Sequence, residues 1–596
     1  MTLVCDYIIK RIASEGVRHV FLIPGGGCMH LVDALGRHPD LEPVAMLHEQ
    51  AAAIAAEAYS QLAGGLGVAL VTTGPGGTNA ITGVAAAWLD STPLLIISGQ
   101  VKTADLADGH GVRQLGFQEI DICKIVESIT KMAVRVDRVE DVPEVIERAI
   151  STALSGRRGP VWIDIPLDIQ AAAITVPNST RVSRISKNTF PMESISQLIA
   201  ELQAAKRPVI LAGNGVRLGR GIDLLRDFIE LTRIPLLLTW KALDFLHDNH
   251  ELNAGRPGAV ASRYANFTQQ TSDVFIGIGT RFDFGQTAYR PDNIAPRALK
   301  TFVDIDENEL GKLKIAGGRH VVADAGAFVS ELLNQAKNVA WPDYSDWHAC
   351  IANWRSKYPL GKPTTSLEYL ETYDVVRVLS QEMEEGDLFI PGSSGACSEV
   401  SMQAFSNKSG QRVLNSQGLG PMGFGIAAPI GASCLRPDTN VYSIDGDGGF
   451  QMNVQELEVA ARRSSRICWL VLDNDGYGSI KATQDSYFQG RRVASDPNSG
   501  LSLPNAAEVA AAFGVTSSTV INEMELTDAL IKFKSNPIPT VIVAKVNPNH
   551  RSEPRVASRR LENGLMESDP MEDLSPKLSR DEFSSIMSLG RTYLCQ

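Results

Sequence analysis

Strand-sized runs of Val, Ile and Leu recur along the chain, and stretches with helical spacing separate them. The first group comprises His19–Ile23, Gly67–Thr72, Pro93–Ser98 and Val161–Ile165. A second comprises Pro208–Ala212, Ile234–Leu238, Val274–Ile278 and Thr301–Asp304. A third comprises Asp387–Ile390, Val441–Ile444, Ile467–Leu472 and Thr540–Val546. Short runs that are apolar throughout fit strands buried on both faces, with helices crossing between them. The pattern predicts an α/β chain of three consecutive doubly wound parallel-sheet domains. Thr2 to Gly16 reads as an amphipathic helix, and Ala51 to Ala63 as an alanine-rich helix behind the short strand Val44–Leu47.

The 596 residues leave room for about three to four domains. Polar linkers are expected at Asn178 to Phe190 and at Trp341 to Leu367. The expected divisions are 1–177, 190–340 and 366–548, followed by a C-terminal tail, 549–596. That tail holds Arg551, Arg555, Arg559 and Arg560, then Pro570 to Arg580. It reads as a mobile segment with a short final helix, either disordered or a lid over an active site.

Composition excludes some roles. A charged fraction of 21% and a hydrophobic fraction of 44% suit a globular enzyme. The net charge of −12 is spread along the chain, which argues against nucleic acid. Apolar runs are too short for a membrane span, and the N-terminus lacks a basic-then-apolar leader pattern, so a cytoplasmic location is expected. The eight cysteines form no CxxC pair and read as small core residues rather than disulfide or zinc ligands.

The chemistry concentrates at strand ends. Gly446-Asp447-Gly448-Gly449 closes the run Val441–Ile444, and Asn474-Asp475-Gly476 closes Ile467–Leu472. Asp447, Asn474 and the Gly476 carbonyl make a hard, all-oxygen set suited to Mg2+ with a phosphate completing the shell. The glycines allow backbone N–H groups to approach that phosphate. His48-Glu49-Gln50 opens the alanine-rich helix. A carboxylate there is commonly only a helix N-terminal charge. Chemistry with thiamine diphosphate (ThDP), however, needs one beside N1′ of the aminopyrimidine, where a charge-assisted bond contributes about 1.5–3 kcal/mol.

From about Asp6 to Asn549 the chain resembles the acetolactate synthase-like branch of ThDP-dependent enzymes. The resemblance rests on Pro24-Gly25-Gly26, His48-Glu49-Gln50, Thr73-Gly74-Pro75-Gly76, Phe117-Gln118-Glu119, Gly418-Leu419-Gly420-Pro421-Met422-Gly423 and the metal motif. It implies that Glu49 activates the pyrimidine, Met422 wedges beneath the bent cofactor, and the Gly420 carbonyl accepts from the 4′ nitrogen. It implies that Gly395, Ala396 and Cys397, with Gly446, Gly448 and Gly449, face the diphosphate. Asp473 departs from the family's Asn-Asn pair, whereas the metal-ligand position, Asn474, is retained. The resemblance further implies active sites shared between subunits of a homodimer or homotetramer.

Gly26, Gly27, Phe117 and Gln118 line the cleft in this resemblance, with Lys131 expected nearby. The Asp and His pair of aldehyde-releasing relatives are missing. Without a local proton donor, carboligation to a second carbonyl is the expected outcome. In the middle unit, Gly213-Asn214-Gly215, Thr239, Gly258, Gly279, Arg281, Asp283, Asp304 and Ile305 match the FAD site of acetolactate synthases in outline. Acetolactate synthases also carry an Arg and a Trp that shape the pocket for a second 2-keto acid. Gly285 and Thr483 stand at those positions. A larger acceptor without a carboxylate follows, and Gly476–Gln484 together with the tail resembles enzymes that add the two-carbon unit of pyruvate to a nucleotide-linked 4-keto-deoxysugar. The alternatives are an acetolactate synthase or another 2-keto-acid lyase, and a catalytically silent ThDP- or flavin-binding subunit, which would have no need of Glu49.

Overall fold

A computed structural model of the chain describes residues 1–175, 192–361, 366, 368–393 and 395–589. The expected linker Asn178 to Phe190 lies outside the described residues, as do 362–365 and 367 of the second linker. Three parallel sheets follow one another along the chain. The first contains β1 (His19–Leu22), β2 (Glu42–Ala45), β3 (Gly67–Val71), β4 (Leu94–Gln100), β5 (Met132–Arg135) and β6 (Val161–Pro166). The second contains β7 (Pro208–Ala212), β8 (Leu236–Leu238), β9 (Val274–Ile278), β10 (Leu299–Asp304) and β11 (Arg319–Val322). The third contains β12 (Leu388–Pro391), β13 (Arg412–Val413), β14 (Val441–Gly446), β15 (Ile467–Asp473), β16 (Thr516–Val520) and β17 (Thr540–Lys545).

The first sheet is ordered β2-β1-β3-β4-β6-β5, and the third repeats that plan as β13-β12-β14-β15-β17-β16. The middle sheet runs β8-β7-β9-β10-β11. In each, strand order reverses beside the first strand of the sheet: between β1 and β3, β7 and β9, and β12 and β14. Loops leaving such a pair diverge and open a crevice at the carboxyl ends of the strands, where ligands of open α/β sheets bind. The motifs picked from the sequence fall at these three places.

Five helices matter for the site: α1 (Glu49–Ala63), α2 (Pro75–Leu89), α3 (Phe424–Leu435), α4 (Gly478–Tyr487) and α5 (Arg580–Ser588). Small residues let α1 and α3 approach so closely that a Cβ on Gly431 would overlap the Ala55 carbonyl. One core therefore runs from Phe21 and Ile54 in the first unit to Phe424, Ile430 and Trp469 in the third.

The described part of the tail, 549–589, packs on the rest of the chain, and 590–596 lie outside the described residues. Arg555 bridges Val260 and Ser575 through the backbone. Asn266 donates to the Met571 carbonyl at 2.6 Å, and Val556, Met571 and Leu574 pack on Ala288. In α5, Glu582 accepts from Tyr358 at 2.6 Å. The charges that suggested mobility pair with one another instead, Asp573 with Arg580 and Lys577, and Arg559 with Glu567. Among the described residues, no helix is long and apolar enough to cross a membrane.

Candidate active site

At the first crevice the loop after β1 presses against the end of β3. A Cβ at Gly25 would lie 2.5 Å from the Thr72 side chain, and one at Gly27 would overlap the Thr73 hydroxyl. Gly26 alone looks into open space. Gly74 has φ +64°, and a Cβ there would overlap the carbonyl of Gln118, itself at φ +64°. These contacts gather Gly25–Gly27, Thr72–Gly76 and Gln118 at one place. Phe117 beside them is 85% exposed.

Glu49 begins α1 and is 8% exposed, with its carboxylate over the Gly76 backbone: an added Cβ would stand 3.5 Å from Oε1. Its Oε2 accepts from Asn79 Nδ2 at 3.0 Å. Asn79 sits one turn into α2 and was not singled out from sequence. No local pattern marks it, because its partner lies thirty positions away.

The Phe117–Gln118 loop is held from below. Glu119 accepts from the backbone N–H groups of Ala107 (2.5 Å), Leu115 (2.9 Å) and Gly116 (3.1 Å). Burial pushes its carboxyl up, but these three bonds outweigh burial and leave it below the ordinary carboxylate range. Gln100 donates both to the Ile120 carbonyl (3.0 Å) and to Asp164 Oδ2 (2.9 Å), and Ser98 donates to Asp164 Oδ1 (2.5 Å). Burial pushes the Asp164 carboxyl up to about 7 despite those bonds. A carboxyl raised above its unfolded value contributes most at low pH, and that contribution is lost as pH rises through the folded value. Asp164→Asn is therefore expected to flatten the fall in melting temperature between about pH 4 and 7. A profile that stays parental would show that Asp164 does not set it.

Lys131 is not part of this cleft. Its ammonium donates to the Thr152 and Ser155 carbonyls and closes the end of a surface helix. The nearby sequence position gave no hint of that, because the helix it caps lies about twenty residues downstream.

At the third crevice, Asp447 follows β14 and is 7% exposed. Its Oδ1 accepts from Gly448 N (2.7 Å) and its Oδ2 from Gly476 N (2.9 Å), which joins the loops after β14 and β15. Gly476 has φ +121°, and any side chain there would overlap the Ser495 carbonyl. Asn474 Oδ1 is buried without a hydrogen-bond partner. Burial pushes the Asp447 carboxyl up to about 6. A buried carboxylate in no ion pair among the described residues, beside an orphaned amide oxygen, fits a divalent cation. Asp473 turns away to an ion pair with Lys545, so its departure from the family pair leaves this set untouched.

The remaining expected residues converge here. A Cβ at Gly448 would overlap the Tyr477 ring and stand 3.4 Å from Met422 Cε. Gly420, at φ +66°, passes under the Ser393 carbonyl, and Gly395, at φ +54° and opening a ten-residue helix with Ala396 and Cys397, faces Ser479. A Cβ at Gly449 would overlap the Asp445 carboxylate, while Gly446 borders open space. Lys481, also missed in the sequence, is buried and donates to the carbonyls of Asn474 (2.6 Å) and Asp475 (3.4 Å), bracing the loop behind its ligand face. Among the described residues, no hydrogen bond or ion pair links Glu49 to Asp447 or Asn474.

At the second crevice a cavity of about 640 Å3 is lined by Gly213, Asn214, Gly215, Thr239, Gly258, Gly279, Arg281, Asp283, Asp304 and Ile305. The volume suits a cofactor. The glycines serve packing more than ligand contact. Gly213 N and Gly215 N donate to the Ile278 and Gly279 carbonyls, and the two loops leave no room for a Cβ. The Thr280 hydroxyl, in the cavity wall, is buried without a partner. Burial pushes the Asp304 carboxyl up to about 6.

Residues 3–125 match the N-terminal TPP binding domain of thiamine pyrophosphate enzymes, residues 195–332 their central domain and residues 393–544 their C-terminal TPP binding domain. The acetolactate synthase large subunit of Lactococcus lactis is 32% identical over 528 residues, 88% of this chain and 89% of that protein. The chloroplastic acetolactate synthase of Arabidopsis thaliana is 33% identical over 555 residues, 90% of this chain and 80% of that protein. The large subunit of acetolactate synthase isozyme 3 from Escherichia coli is 31% identical over 558 residues, 91% and 95% of the two chains.

Proposed function

The chain belongs to the acetolactate synthase-like thiamine pyrophosphate enzymes, and from that premise we propose that it decarboxylates pyruvate and joins the two-carbon unit to a nucleotide-linked 4-keto-deoxysugar. Relatives named acetolactate synthase support the donor and the joining step. The acceptor reading rests on Gly285 and Thr483, which stand where acetolactate synthases carry an Arg and a Trp.

Bound ThDP supplies a carbon nucleophile for the keto acid and an electron sink for the bond to carbon dioxide. The residues supply everything else. Asp447, Asn474 and the Gly476 carbonyl would hold Mg2+, with Gly446, Gly448, Gly449 and the helix beginning at Gly395 beside the diphosphate. Met422, which lies against Gly448, would support the cofactor from below, and the Gly420 carbonyl would accept from its 4′ nitrogen. Glu49 keeps Oε2 on Asn79 and offers Oε1 to the proton at pyrimidine N1′. Gly26, with Gly27, Phe117 and Gln118, leaves the donor side of the cleft without a carboxylate or imidazole to quench the new carbon centre. Glu49 and Asp447 act on one cofactor when two copies meet, so a homodimer or homotetramer is the working unit.

The residues at positions 285 and 483 carry the acceptor reading, and Gly285 borders the middle cavity. The Gly285 carbonyl accepts from Ala259 N at 2.7 Å, and the Thr483 hydroxyl turns back to the Ser479 carbonyl at 2.9 Å. Arg281 does not replace a carboxylate clamp, since it bonds the Leu89 carbonyl and Asp283. At the far end of α4, Tyr487 and Phe488 are about half exposed. Arg491 and Arg551 there are exposed and make no ion pair among the described residues, and Arg551, after Arg492, helps lower the Asp485 carboxyl. Exposed rings and guanidinium groups at the end of α4 suit a base and a diphosphate. Arg555 and Arg559 do not serve, being paired with Glu399 and Glu567.

Given pyruvate and a CDP- or dTDP-4-keto-deoxysugar, the purified enzyme is expected to yield a sugar nucleotide heavier by the two-carbon unit. Acetolactate as the sole product would instead establish the 2-keto acid reading. Gly285→Arg with Thr483→Trp is expected to shift the product toward acetolactate.

We assign the middle cavity to FAD in a structural role, on its volume, the orphaned Thr280 hydroxyl and the presence in its lining of all ten residues picked from the sequence. The purified protein is then expected to be yellow and to release flavin on denaturation. A colourless preparation that takes up no FAD would sink that assignment.

A further inference from the structure

The segment that carries Gly420 and Met422 has no regular structure of its own between β13 and α3, so its position depends on bonds made to it from outside. Those bonds converge on Asp90, the residue that ends α2. Asp90 Oδ1 accepts from Gly418 N at 2.9 Å, and Oδ2 accepts from Gln417 N at 3.0 Å and from Lys241 Nζ at 2.9 Å. Lys241 reaches in from the middle unit and also donates to the Asn415 carbonyl at 2.6 Å. The Asp90 side chain is only 2% exposed. Gly418 is pressed so tightly onto this corner that a Cβ would overlap Leu89 and stand 2.9 Å from Asp90 Oδ1.

We propose that Asp90, with Lys241 as counter-charge, is the positioning residue that sets Gly420 and Met422 against the diphosphate half-site. Two backbone N–H groups and one ammonium on a single buried carboxylate form a charge-assisted knot, stronger than neutral bonds and fixed in direction. Two residues beyond the knot lies the positive-φ turn at Gly420, and four residues beyond it Met422 reaches Gly448. The same helix that ends in Asp90 provides Asn79 to Glu49 near its start. The proposal rests on the thiamine reading of Gly420 and Met422. It assigns Asp90 no contact with substrate or ThDP, although Asp90, Lys241 and Gly418 also line the middle cavity.

Removing one member of a buried ion pair can unfold a protein, whereas replacing both by uncharged groups is far milder. The test therefore uses the full-length double variant Asp90→Asn/Lys241→Met, and Gly418→Ala, which displaces the segment without changing charge. Each is titrated calorimetrically with Mg2+–ThDP and, separately, with Mg2+–pyrophosphate, alongside cofactor-free melting. Because the knot sets the segment that faces the pyrimidine and thiazole, Mg2+–ThDP is expected to bind at least about tenfold more weakly. Mg2+–pyrophosphate should bind within about twofold of the parent, and the melting temperature should be retained. Unchanged ThDP affinity in folded variants would overturn the proposal. So would equal weakening of both probes, which marks general damage, or failure of every variant to fold, which marks a purely architectural contact. A parent that binds neither probe would sink the thiamine reading itself.

Discussion

A Glu49→Gln variant is expected to bind Mg2+–ThDP like the parent and to lose about 10²–10⁴-fold in the rate of carbon dioxide release from pyruvate. The structure makes this substitution a clean one. Gln keeps the length of the side chain, and its carbonyl oxygen can still accept from Asn79 Nδ2. It forfeits a negative charge at the first turn of α1, which costs only about 0.3–1 kcal/mol. What it cannot do is hold a proton shared with a ring nitrogen. The separation of binding from turnover is the diagnostic part. Turnover at the parental rate would remove Glu49 from the chemistry, and a loss of cofactor binding equal to the loss of rate would make it a structural residue.

The second large effect is expected at Asp447. Asp447→Asn keeps shape and one acceptor for the Gly448 and Gly476 amides but removes the only carboxylate proposed for the metal. Affinity for Mg2+–ThDP is expected to fall by at least about 100-fold. Metal-free, the parent buries this charge against two N–H groups and in no ion pair among the described residues, so the neutral variant should melt no lower than the parent in chelator. On adding Mg2+ and ThDP the parent should gain stability in proportion to the logarithm of ligand concentration, and the variant should not. A variant stabilised as much as the parent would show that the metal sits elsewhere.

Much of this was legible before any coordinates. The buried central strands were visible because both faces of a parallel sheet are covered and their residues are apolar without alternation. Four strands were not: Met132–Arg135, Arg319–Val322, Arg412–Val413 and Thr516–Val520. All four lie at sheet edges, where one side is partly open to solvent and the apolar signal is diluted. The metal and glycine motifs were legible because a turn that brings backbone against backbone admits few residue types. That same logic cut the other way at Gly213 and Gly215, whose glycines answer to the crossing Gly279 loop.

Residues that act through space left no trace in the sequence. Asn79 matters because α2 runs past Glu49, Asp164 because it underlies Gln100 and Ile120, and Asp90 because three units of the chain meet at its carboxylate. The tail misled for a related reason. Its alternating charges resemble a solvated stretch, yet they close on one another and on the middle unit. Lys131 misled because proximity in sequence to a cleft residue is a poor guide to the direction of a long side chain.

The account stands on two half-sites of one chain serving two different reaction centres. Its most direct test is to co-express Glu49→Gln and Asp447→Asn chains under different tags and isolate the mixed oligomer. Each variant alone is inactive, but a mixed pair joins the intact Glu49 of one copy to the intact Asp447 of the other. In the isolated mixed dimer one of the two sites is intact, so about half of the parental pyruvate decarboxylation per site should return, and about a quarter in the unsorted, randomly paired pool. Mixed oligomers as inactive as either variant alone would mean that each chain completes its own site, and would contradict the account.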